Sequence, residues 1–331
     1  MIKVLIKKGL MSLLTIFVAT ILTFLLIRSM PGDPIESRAR ELQMTQGITY
    51  KMAYELAKEH YNYDPEVPIH LQFYKYLKGL MRGNLGNSIV YDIPVTTIIF
   101  TALPWTLFIV TLSLITSFIL GCTGGLVMAW KRKSKTLDFV TTLFSVLTQS
   151  VPDFLIALIL LVILGVHYQL FPLRGAYSVS SIPGWNLQFI LDVLYHAVLP
   201  VASFTIFTMG GWALSMKGSA TSVMTEDYIH VARAKGLKEK RILVNYLGRN
   251  AVVPLITGLA VSFGTMISGA MFIENIFSYP GIGYFFGLSI GARDFTLMQG
   301  LLLLTTITIV VANLVADLIH CLLDPRVGME Q

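Results

Sequence analysis

Four ionisable residues, Arg28, Asp153, Glu274 and Asp317, fall within or beside long apolar runs of the chain. Asp153 lies in the middle of its run, directly after Pro152, where an unpaired carboxylate costs roughly 2.5–3.5 kcal/mol on membrane-insertion scales. A proline removes an amide donor and bends a helix. The Pro152-Asp153 pair therefore reads in one of two ways: as a break lining a watery cavity, with Asp153 facing the path of a cationic or zwitterionic substrate, or as a helix restart in which Asp153 only caps the helix or pairs with a buried donor. Arg28, Glu274 and Asp317 stand nearer the ends of their runs, where reaching the interface costs less. The patterns of soluble catalysis are missing. There is no G-x-x-x-x-G-K-[ST] loop to cradle nucleotide phosphates, no H-E-x-x-H and no G-x-S-x-G. Cys122 and Cys321 lie in apolar runs without metal-ligand spacing, and the six histidines are scattered, so all are read as packing or interfacial residues. The chain is expected to hold no catalytic residue, cofactor site or metal site of its own.

The elements that must carry these residues are membrane helices. Of the 331 residues 54% are hydrophobic and 13% charged, and the mean hydropathy is +0.69. Uncharged runs of about 20 residues match a hydrocarbon core about 30 Å thick. Six spans are expected, at about Gly9 to Ile27, Leu103 to Trp130, Phe139 to Val166 with the interruption at Pro152, Val193 to Met216, Val252 to Ile273, and Phe295 to Leu323. The first is read as a retained helix and not a signal peptide, because its run is long and leads into "RSMPGDP" without a small-residue cleavage site. Ser117, Gly121, Gly125 and Ala129 recur every fourth residue along the second span, as do Ala260, Gly264 and Ser268 along the fifth. Such ridges let backbones approach closely where lipid offers no drive for association, so these faces are expected at helix contacts within the bundle or against a second, related membrane chain.

Orientation follows the bases. With the N-terminus inside, Lys3, Lys7 and Lys8, then Lys131, Arg132, Lys133 and Lys135, then the bases from Lys217 to Arg249, and finally Arg326, all fall on the cytoplasmic side. The short outer loops hold only Arg174 and Arg293. The long outer segment is exempt from the rule. Both termini are thus expected inside. Within the outer segment "YKMAYELAKEH" and "HLQFYKYLKGLM" have helical spacing, with Met52 and Leu56 on one apolar face and Leu71, Tyr74 and Leu77 on the other, separated by the turn "NYDPEVP".

The cytoplasmic segment 217–250 concentrates Lys217, Arg233, Lys235, Lys238, Lys240, Arg241 and Arg249. Thr225, Glu226 and Asp227 open a helical pattern, and Gly236 stands where a helix ends in a left-handed residue. Ile242, Leu243, Tyr246 and Leu247 then recur on one face. Two short helices joined by a sharp turn are expected, presenting an apolar knob on a basic collar. Physics alone leaves open whether this loop docks a partner or is a solvated positive-inside loop touching lipid headgroups.

"HVARAKGL" followed by "RNAVVPL" resembles the cytoplasmic loop of ABC importer permeases of the dipeptide, oligopeptide and nickel subfamily. "PGDP", "GNLGNSI", "ENIFSYPGIGYFFGLSIGARDFTLMQG" and "NLVADLIHCLLDPRVG" resemble that subfamily's other blocks in the same order. The family's loop motif begins Glu-Ala-Ala where this chain reads His230-Val231-Ala232, so the carry-over stands on Ala232 and Gly236. The resemblance implies an all-α integral membrane fold of six transmembrane helices, type I importer-like, in a bacterial or archaeal inner membrane. It divides the chain into a cytoplasmic N-terminus and first helix (1–29), an extracytoplasmic helical segment (30–100), a five-helix core (101–324) with the coupling loop at 217–250, and a tail (325–331). It implies that the loop docks a separate ATPase through Ala232, Ala234, Lys235, Gly236, Leu237 and Arg241, with ATP and Mg held by that subunit. The partners it implies are a second homologous permease, one or two ATPase subunits, an extracytoplasmic substrate-binding protein and the lipid bilayer; no nucleic acid is expected. The cargo is a dipeptide or oligopeptide, with nickel or a metal chelate as the rival. A self-sufficient secondary transporter is the reading from another class; it requires paired broken helices in two repeated halves, and the sequence offers one clear break.

Overall fold

A computed structural model describes residues 2–30, 33, 35–61, 67–131 and 135–323. The expected turn over residues 62–66, the bases Arg132, Lys133 and Arg326, and the tail 325–331 lie outside the described residues. The elements in chain order are α1 (Ile2–Arg28), α2 (Glu36–Gln46), α3 (Tyr50–His60), α4 (Ile69–Leu80), α5 (Val95–Trp130), α6 (Lys135–Ser150) and α7 (Asp153–Leu160), which continues as a π-helical stretch (Leu161–His167). There follow α8 (Leu187–Val223), α9 (Asp227–Ala234), α10 (Glu239–Arg241), a second π-helical stretch (Ile242–Gly248), α11 (Arg249–Ile276), α12 (Ile282–Ala292) and α13 (Phe295–Leu323). Among the described residues five helices are long and apolar enough to cross a membrane, and a sixth crossing results if the bent pair Phe139–Ser150 and Asp153–His167 counts as one span. That pair turns by 101°, a far sharper break than a proline kink within a continuous helix.

The chain forms two compact units. One comprises Met1–Thr106 and Pro280–Val310. Its apolar centre is Val95, Ile98, Ile99 and Ala102 against Ile282, Leu297 and Leu301. Phe24 is held between Phe73 and Tyr76, with ring centroids 5.1 and 5.8 Å away. Asp294 is wholly buried, which is tolerable only because its carboxylate is saturated: Ser88 Oγ (2.5 Å) and the Val90 amide (3.1 Å) donate to Oδ2, and the Leu297 amide donates to Oδ1 at 3.0 Å. This latch joins the "GNLGNSI" and "GARDF" blocks across a wide sequence separation.

Over residues 50–80 the helices stand where their spacing predicts, but their apolar faces do not. Met52, Leu56, Leu71 and Tyr74 are exposed, whereas Ala53 and Ala57 are buried. Small side chains let α3 lie close against α2, and the aromatic side of α4, through Phe73 and Tyr76, meets Phe24.

The second unit comprises Leu107–Tyr279 and Val311–Gln331. Here α8 is the central helix, contacted by α6, α7 and α11. Asn186 Oδ1 caps its start by accepting the Phe189 amide at 2.8 Å. At 37 residues it runs about 55 Å at 1.5 Å per residue, well beyond the hydrocarbon core, so it projects into the aqueous phase. The ridge Ser117, Gly121, Gly125 and Ala129 is buried and faces α8. A Cβ on Gly121 would stand 2.6 Å from the Met209 carbonyl oxygen, and one on Gly125 would overlap that of Ala213. This ridge is a contact within the chain. The ridge on α11 is different: Gly264 is buried but Ser268 is exposed, so the pattern there does not mark one continuous contact.

Candidate functional site: a basic turn and a carboxylate cleft

The basic segment folds as its punctuation requires. Helix α9 starts at Asp227 after an extended Glu226 whose side chain makes no cap; Thr225 instead donates its hydroxyl to the Ser222 carbonyl at 2.7 Å. At the other end Gly236 has φ +71°. Its amide donates to the Arg233 carbonyl (2.9 Å) and the Leu237 amide to that of Ala232 (3.3 Å), the paired bonds of a Schellman stop. Leu237 folds back onto the small core of Ile229, Ala232 and Ile242, together with Trp130 and Tyr246.

The expected apolar knob is therefore turned inward. Ile242 and Leu247 are fully buried, because these side chains glue the turn to the ends of the long helices instead of facing outward. Ala232 belongs to that internal core, and Leu237 is half-buried. Ala234, Lys235, Gly236, Lys238, Lys240 and Arg241 form the exposed side, with Tyr228, Val231 and Val244 as exposed apolar residues among them. Burial, and then the charge of Glu226, push the Tyr228 phenol up, so it contributes a neutral aromatic to this surface. Arg233 lies 5.6 Å over the Trp130 ring and 3.8 Å from Glu239, bridging both sides of the turn to the end of α5. Ser219 on α8 donates to the Ala251 carbonyl on α11 at 2.7 Å. The two helices that flank the turn are thus tied to each other.

Further along the same two helices lies a cleft of about 530 Å³, a volume typical of small-molecule sites. The α6–α7 break supplies Gln149 and Asp153, α8 supplies Phe204, Phe207 and Trp212, and α11 supplies Ser262, Thr265 and Gly269. Pro152, with φ −54° and ψ 143°, lets α7 restart at Asp153, and Asp153 Oδ1 accepts the Phe154 amide at 2.8 Å. Asp153 thus lines a cavity, whereas the capped restart is not seen in the form expected: the residue before α7 is Pro152, the helix start has no side-chain cap, and Asp153 bonds the amide of the next residue instead. Phe154 meets Phe272 with ring centroids 5.9 Å apart, which fixes the restarted helix against α11. The signal that sequence reading missed was the aromatic spacing of Phe204, Phe207 and Trp212, hidden in an apolar run where every face looks alike.

A family profile described as "Binding-protein-dependent transport system inner membrane component" matches residues 121–329, a stretch containing both the cleft and the basic turn. An oligopeptide transport system permease protein of Bacillus subtilis is 31% identical, covering 97% of this chain and 98% of that protein. A dipeptide transport system permease protein of Lactococcus lactis is 33% identical over 99% and 100%, and an oligopeptide transport system permease protein of Haemophilus influenzae is 31% identical over 99% of each chain.

Proposed function

The chain belongs to the family of inner-membrane components of binding-protein-dependent transport systems, and from that premise we propose that it is one permease half of an ATP-driven importer of dipeptides or oligopeptides. The observation that carries this reading is the likeness over nearly the whole length of both chains to permeases named for those substrates. In this reading the ATPase is a separate subunit that holds ATP and Mg, a second permease completes the path, and an extracytoplasmic protein delivers the cargo. Both chain ends face the cytoplasm, where the basic turn meets the ATPase.

The described geometry supplies a route for the coupling. A partner gripping Ala234, Lys235, Gly236 and Arg241 displaces α9, and the packed core of Ile229, Ala232 and Ile242 passes that displacement to Trp130. Through the chain itself it reaches α8 and α11, which are also the walls of the Asp153 cleft. Close packing makes such a block move as a unit, because interiors at crystal-like density do not absorb displacement. The rival cargo is a metal ion or chelate. Among the described residues no group of three or more His, Cys, Asp or Glu side chains converges, and a chelate carried whole needs none, so the relatives' substrates favour peptides.

Uptake of labelled tri-alanine and of nickel by cells lacking this chain, and by the same cells with it restored, tests the reading. Tripeptide uptake is expected to fall on deletion and return on restoration; restoration of nickel uptake alone would overturn the peptide assignment.

A further inference from the structure

The Asp153 cleft has a chemical polarity that the family does not specify. Among the described residues, Asp153 is the one ionisable side chain in its lining, with Gln149, Thr208, Ser215, Ser262 and Thr265 as polar neighbours. The two carboxylate oxygens are not equivalent. Oδ1 is engaged by the Phe154 amide, whereas Oδ2 points toward Gly269, 3.6 Å from where a side chain there would begin. Asp153 and Gly269 both line the cavity. The lining also includes the aromatic residues Phe204, Phe207 and Trp212, with Phe204 beside the same Gly269 position as Asp153 Oδ2, and aromatic rings attract cations.

We propose that this cleft is a charge-selecting station on the path, in which Asp153 Oδ2 receives the side-chain ammonium of a passing cationic peptide while the aromatic residues of the lining accommodate apolar side chains. The inference rests on the permease reading and adds to it a preference held by the membrane subunit itself, separate from whatever the binding protein selects.

The test compares uptake of Ala-Lys-Ala, tri-alanine and Ala-Glu-Ala by cells carrying the wild-type chain, Asp153→Asn or Asp153→Lys. Each peptide is scored as the ratio of variant to wild type, so that the binding protein's own preference cancels. The Asn variant is expected to lose about ten-fold for Ala-Lys-Ala, the order expected of one charge-assisted contact, with a smaller loss for tri-alanine and the least for Ala-Glu-Ala. The Lys variant is expected to steepen that ranking. Equal losses for all three peptides would assign Asp153 a purely structural part and overturn the proposal, as would no loss for any. In either of those cases wild-type uptake still stands as support for the permease reading. Absence of wild-type uptake for all three would instead overturn that reading, and the proposal with it.

Discussion

At Gly125 a methyl group would overlap the Ala213 carbonyl oxygen, while at its neighbour Gly124 a methyl group would meet nothing within 4 Å. Gly125→Ala is therefore expected to destabilise the protein by about 1–3 kcal/mol, the usual cost of overpacking. Gly124→Ala is expected to be neutral or slightly stabilising, since alanine is the better helix former. Thermal unfolding of the two variants in the same detergent compares them directly. Gly236 poses the opposite case: there is room around it, but its φ of +71° costs most L-residues about 1–2 kcal/mol, while Asn tolerates such an angle best. Gly236→Asn is expected to keep peptide uptake, and Gly236→Val to lower it at unchanged expression. Gly236 and the Gly121 ridge were both legible in the sequence, because glycine at a helix end or at fourfold spacing has few other uses. The partition of the segment around Gly236 was not. Nothing in the string tells which of Ala232 and Ala234 turns inward, since that depends on Trp130, far away in the chain.

Among the elements, the Asp294 latch is costly to break. Asp294→Ala leaves the Ser88 hydroxyl and the Val90 and Leu297 amides without their acceptor, and each orphaned buried donor costs about 1–3 kcal/mol. The expected outcome is faster cleavage within residues 36–80 under limited proteolysis, with residues 187–276 cut no faster than in the wild type. The existence of α3 and α4 was legible from periodicity. Their buried faces were not, because the rule that large apolar side chains go inward fails where alanines permit closer contact, as Ala53 and Ala57 do. Helix α2 escaped notice because its sequence has no apolar stripe; its surface is supported by local pairs such as Arg40 with Glu36 at 2.5 Å and Arg38 with Glu41 at 2.9 Å. The 101° turn before Asp153 exceeded the expected interruption, because Pro152 adopts an extended conformation and ends one helix outright instead of kinking it. The latch itself was beyond reach, for it pairs residues 206 positions apart.

For the whole molecule, the distribution of bases predicts the orientation, and orientation decides whether the basic turn can meet an ATPase at all. In a Cys122→Ala, Cys321→Ala background, a cysteine introduced at Lys238 is expected to react with a membrane-impermeant thiol reagent only from the cytoplasmic side, and one at Tyr74 only from the outside. The most direct measurement of the coupling account is affinity purification of the tagged chain from its native membrane in mild detergent, with mass spectrometry of what accompanies it in stoichiometric amount. The account predicts a second permease and a P-loop ATPase with the wild type. With Gly236→Arg it predicts loss of the ATPase and retention of the permease, since the substitution fills open space at the exposed turn. Recovery of the chain alone, together with peptide transport that persists in vesicles without ATP, would contradict it and point to a secondary transporter.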